Sequence, residues 1–174
     1  MQSPTIDSVA LEFLSEIKED SNRIGAQISL QRICVLGNHD EHEKEMEEIA
    51  KRLCADCYPA TIIKKIPDDN NKPVPDFHKE MAVLKKAEII VIIDNSKGGV
   101  VSECAFLMQN PEIALNTILM VHGSKTPGEV LGVTGHYVYF PNKVPYSDQN
   151  LVEITVLAAK QASYRLALKK LEAG

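Results

Sequence analysis

The chain alternates short apolar runs with longer amphipathic stretches, and that alternation decides the fold class before any single residue does. The clearest run is Ile89-Ile-Val-Ile-Ile93, continuously apolar and β-branched, as a strand buried on both faces must be. Arg32-Ile-Cys-Val-Leu-Gly37 predicts a first strand closed by glycine, Ala60-Thr-Ile-Ile63 a second, and Thr117-Ile-Leu-Met-Val121 a fourth. A fifth is expected at His136-Tyr-Val-Tyr-Phe140.

Helical spacing fills the gaps. Ser3-Pro4 supplies a cap and first-turn pair ahead of Ile6, Val9, Phe13 and Ile17, predicting a helix over 3–20. Met46, Ile49, Ala50 and Leu53 mark the next helix, Phe77, Met81 and Leu84 another, and a further one runs to about Gln109. The last opens at Ser147-Asp148 and carries Leu157, Tyr164, Leu168 and Leu171. Strand and helix repeated about five times require right-handed crossovers and a parallel sheet covered on both faces. Residues 1–30 read as an N-terminal helical extension and 31–174 as a single α/β domain.

Ligands of such sheets bind outside the carboxyl ends of the strands, where connections leave to opposite faces. Those ends are Gly37-Asn38-His39, the loop after Ile66, and Asp94 to Gly99. Within Val100 to Met108 the one charged residue is Glu103, and a carboxylate there is costly unless it is paired, hydrogen-bonded or open to a pocket. It either complements the positive end of its helix or faces a ligand. Gly98-Gly99 allows close backbone approach, and the helix start beyond it offers free N–H groups. Asp94 closes the central strand as a turn residue or as a second acid beside Glu103. Asp76 follows Pro75 as a helix cap. Lys97 is a solvated loop cation or a point charge for an anion.

Asp76-Phe-His-Lys-Glu-Met-Ala-Val-Leu-Lys-Lys-Ala-Glu-Ile-Ile-Val-Ile-Ile-Asp94, with Gly98-Gly99 and Glu103-Cys-Ala-Phe after it, resembles the nucleoside 2-deoxyribosyltransferase family, including its 2′-deoxynucleoside 5′-phosphate N-hydrolase branch. The likeness follows element order over 32–141 and is specific over 76–107. It implies a Rossmann/flavodoxin-like three-layer sandwich with an extra N-terminal helix. It also implies that Glu103 attacks C1′ of a (deoxy)ribosyl group, that Asp94 or Asp76 protonates the leaving base or holds sugar hydroxyls, and that Ser96 and Lys97 lie where the monophosphate branch holds phosphate. Gly37, Asn38, His39, Gly98 and Gly99 would complete the substrate pocket. The logic is that of a retaining glycosidase, with a covalent glycosyl-Glu passing to water or another base.

The chain departs from the family at Ala105, where glycine is usual, at the nine-residue separation of Asp94 and Glu103, and in its first loop. The first departure favours one alternative, a non-catalytic nucleotide-sensing module. Another is a phosphoribohydrolase of the cytokinin-activating kind, whose fuller Pro-Gly-Gly-x-Gly-Thr run is missing. The family completes its pockets across a subunit interface, so a homo-oligomer is expected, with two apolar-striped terminal helices to bury.

Composition narrows the remaining classes. The 174 residues are 44% hydrophobic and 25% charged with net charge −5, the make-up of a globular domain that repels a phosphate backbone, so nucleic acid is not an expected partner. No run approaches the roughly 20 apolar residues of a membrane span, and MQSPTIDS lacks the basic-then-apolar secretory pattern. Cys34, Cys54, Cys57 and Cys104 form no spaced framework, which suits reduced thiols and a cytoplasmic protein. Cys54-Ala-Asp-Cys57 falls at a helix end without a second pair and reads as structural. Gly37-Asn38-His39-Asp40-Glu41 spells a metal element of calcineurin-like phosphoesterases, but the companion elements of that family are missing. His39 and His42 sit among glutamates on a solvated helix face. No metal and no cofactor is expected; the expected ligand is a nucleoside or nucleotide.

Overall fold

The computed structural model describes residues 6–63, 76–93, 107, 109–124 and 140–173, with backbone alone at 6–10, 12 and 76–79. In chain order the elements are α1 (Ile6–Ser29), β1 (Ile33–Leu36), α2 (His39–Ala55), β2 (Ala60–Ile62), α3 (Asp76–Leu84), β3 (Ile89–Ile93), α4 (Pro111–Leu115), β4 (Thr117–His122), β5 (Asn142–Tyr146) and α5 (Leu151–Glu172). The five strands form one parallel sheet in the order β2-β1-β3-β4-β5. This is the doubly wound, flavodoxin-like arrangement of an α/β protein.

Alternation along each strand builds two cores. On one face Leu36, Ile92 and Leu119 form a row in register and join Met81 and Leu84 of α3 with Leu107 and Phe140. On the other, Val35, Val91 and Ile118 form the matching row, covered by Met46, Ile49 and Leu53 of α2 and by Leu151 and Ala159 of α5. All five residues of β3 are buried, because β3 lies mid-sheet with helices over both faces.

Three expectations are corrected. The strand that pairs with β4 is Asn142–Tyr146; of the segment expected as the fifth strand, 136–139 lie outside the described residues and Phe140 is a buried core residue outside any strand. Asn-Lys-Val-Pro-Tyr reads poorly as a strand, yet an edge position tolerates Pro145, and Asn142 Nδ2 anchors its start on the Leu115 carbonyl at 3.0 Å. Helix α1 continues to Ser29 rather than ending near residue 20. The buried stripe of α5 is Leu151, Thr155, Ala159, Ser163 and Ala167, not the expected stripe, of which Leu157 and Tyr164 are 51% and 47% exposed. Small residues every fourth position let α5 lie close against its neighbours.

Helix α2 ends in a left-handed residue, Cys57, at φ 65°, where glycine is the usual choice. Cys54 Sγ lies 3.2 Å from the Ala60 carbonyl, and Cys34, Cys54 and Cys57 form no disulfide. The Cys-x-x-Cys spacing thus belongs to a helix exit. Cys57→Gly is expected to raise stability by about 0.5–1 kcal/mol, read by urea unfolding, because glycine meets no Cβ penalty there.

At the amino ends of β1 and β3, the Arg32 backbone N–H donates to Glu88 Oε2 at 2.7 Å and the Arg32 guanidinium lies 3.5 Å from the same carboxylate. Burial pushes the Glu88 carboxyl up, but the Arg32 N–H and guanidinium outweigh it and hold it below its ordinary 4.5. A lowered folded pKa adds stability above the unfolded value that disappears as pH falls through the folded one. Glu88→Gln is therefore expected to cost about 0.5–1 kcal/mol at pH 7, a figure discounted for solvent screening, with the deficit shrinking below about pH 4.5. Melting temperatures of both proteins across that range check it.

Candidate functional site

Strand order fixes the place. From β1 the chain leaves through α2, which packs on one face, and it reaches β3 from α3, which packs on the other. The divergence falls between the carboxyl ends of β1 and β3, the usual position for a ligand crevice in such sheets. Gly37 stands at this point. A Cβ at this residue would stand 3.0 Å from Met46 Sδ and 3.3 Å from Ile93 Cβ, so glycine lets the two strand ends close on each other. Gly37→Ala is expected to cost about 1–2 kcal/mol by urea unfolding, since Met46 yields but the Ile93 Cβ does not.

Asn38 is the N-cap of α2: its Oδ1 accepts the Asp40 N–H at 3.0 Å, which supplies a structural role for a residue expected to meet substrate. His39 is the first residue of α2 and is exposed, just beyond the carboxyl end of β1. Asp40 and Glu41 occupy the first turn, so this helix start already carries negative charge and disfavours an anionic ligand. His42, half-buried one turn on, belongs to the same helix. Among the described residues no group of three or more His, Cys, Asp or Glu is arranged to hold a metal.

Of the other expected site residues, Asp94, Ser96, Lys97, Gly98, Gly99 and Glu103 lie outside the described residues, and Asp76 is described only as the first residue of α3. β3 brings the described chain to the crevice at Ile93, immediately before Asp94 in sequence.

A second group on the same edge went unread in the sequence. β4 ends at His122, and the Gly123 N–H continues the pairing with β5 by donating to the Tyr146 carbonyl at 2.8 Å. His122 Nδ1 lies 2.6 Å from Ser124 Oγ and accepts the Ser124 backbone N–H at 3.3 Å; its Nε2 is 3.2 Å from Asp148 Oδ1. Because Nδ1 is an acceptor, the neutral ring carries its proton on Nε2, facing Asp148. The Tyr146 ring stands edge-on, 5.3 Å away at 85°. Register puts His122 two strands across and two residues further along than Gly37, roughly 12 Å away. Only pairing of β4 with β5 brings residues 122 and 148 together, so no local spacing announces them.

The chain matches no protein-family model and no curated protein sequence. Among the described residues no helix is long and apolar enough to cross a membrane.

Proposed function

We propose that the protein cleaves or transfers the N-glycosidic bond of a nucleoside or nucleoside monophosphate in the crevice between the carboxyl ends of β1 and β3, with Glu103 as nucleophile. The observation that carries this reading is the sheet order, which puts the switch point of the fold at the carboxyl ends of β1 and β3, where Gly37 and Ile93 meet. The Asp76–Asp94 and Glu103–Phe106 segments supply the resemblance to deoxyribosyltransferases, and the first of them leads to that point through β3.

The chemistry divides by charge. Glu103 forms a bond to C1′ as the C1′–N bond breaks, and the leaving base takes a proton from Asp94 or Asp76. Water or a second base then attacks C1′, and the Glu103 carboxylate departs. Asp40 and Glu41 make the β1 side unsuitable for phosphate, so a 5′-phosphate is assigned to Ser96 and Lys97 and the uncharged base or sugar to His39. Catalysis needs no cofactor.

Incubation with a panel of nucleosides and their 5′-monophosphates, following free base by chromatography, tests the reading. Release of base from at least one member is the expected result. Binding without release points to the sensing module, which keeps the crevice and lacks turnover.

A further inference from the structure

Helix α1 carries an apolar stripe, and among the described residues none covers it from Leu11 to Ile17. Its root is fixed: Ile28 is buried, and the buried Gln31 just beyond the helix donates through Nε2 to the Ser163 carbonyl of α5 at 3.0 Å. From Leu11 to Arg23 every described side chain is exposed, including Leu11 and Phe13 at 68% and 61%, Leu14 at 61% and Ile17 at 46%. Leu14 and Ile17 continue the Ile24–Ile28 stripe along one side of the helix. A helix in a protein draws most of its stability from packing its apolar face, and one standing alone in water is marginal.

A surface of complementary charge lies along α5, the helix on which the root of α1 packs. A groove of about 390 Å³ runs between α5 and the amino-terminal ends of β3, β4 and β5, with Ile118, Val144 and Ala162 as apolar walls and Arg165 and Lys169 at its rim. Among the described residues of its lining none is acidic, whereas α1 carries five acidic and two basic residues between Ile6 and Arg23. Glu16 and Asp20, one turn apart, border the Phe13–Ile17 side of the stripe. The acidic excess argues against a nucleic acid or an anionic membrane as the occupant.

We propose that two copies of this chain pair by exchanging α1, each helix laying Phe13, Leu14 and Ile17 into the partner's groove along α5 with Glu16 and Asp20 facing Arg165 and Lys169. Root and groove flank the same helix near the amino ends of the strands, so a two-fold axis at this edge satisfies both copies at once. The interface lies at the edge opposite the crevice of Gly37 and Ile93 and stands apart from the function proposed above.

Sedimentation equilibrium of the full chain tests it. Wild type is expected at twice the 19.2 kDa chain mass. L14E/I17E and, separately, R165E/K169E are expected at the single-chain mass with melting temperatures of folded protein, and joining E16K/D20K to R165E/K169E is expected to restore the dimer. A monomeric wild type, a dimer that survives R165E/K169E, or a combined variant that stays monomeric would each overturn the assignment.

Discussion

Ile92→Ala is expected to lower stability by about 3 kcal/mol and the melting temperature by about 6–12 °C. Ile92 is fully buried in β3, in register with Leu36 on one side and Leu119 on the other. Truncation leaves a cavity between two strands and beneath α3, in a layer that the regular backbone pairing holds open. Val91, one residue earlier, faces the α2–α5 core instead, so the cavity opens on the α3 side of the sheet. Calorimetry of Ile92→Ala beside an exposed control such as Glu172→Ala reads the difference.

The second large effect is chemical. Glu103→Gln is expected to reduce base release by roughly 10⁴-fold or more, with the melting temperature within a degree or two of wild type. The amide keeps the size of the side chain and removes the charge that, in the proposed reaction, forms and then releases the bond to C1′. Parallel loss of fold and activity would instead make Glu103 a helix-start carboxylate whose work is structural.

The sheet was legible where burial is two-sided. Ile89–Ile93 announces itself because both faces of β3 are covered, whereas Asn142–Tyr146 pairs on one side only and contains Pro145, so its pattern carries little strand signal. The polar stretch from Lys18 to Arg23 hid the continuation of α1 to Ser29. On α5 the large apolar residues Leu157 and Tyr164 suggest a buried stripe but are exposed, whereas Ala159, Ser163 and Ala167 are buried because small residues permit close packing.

For the candidate site, the place of the switch point followed from strand-helix alternation, since strand ends are its geometric consequence. Individual roles did not follow so directly. Asn38 looks like a ligand contact in sequence and is a helix cap in three dimensions, a use that Asn shares with Ser, Thr and Asp. His122 and Asp148, separated by 25 residues, meet only through the pairing of β4 with β5. Cys57 shows the converse: a suggestive spacing whose second member marks a helix exit.

The central claim is that a sugar passes through a bond to Glu103. Acid-quenching the protein during turnover with the best substrate of the nucleotide panel, then mapping peptides by mass, tests it most directly. The account predicts a glycosyl mass on the peptide containing Glu103, absent from Glu103→Gln. Base release with no such adduct, or an adduct confined to another peptide, would contradict it.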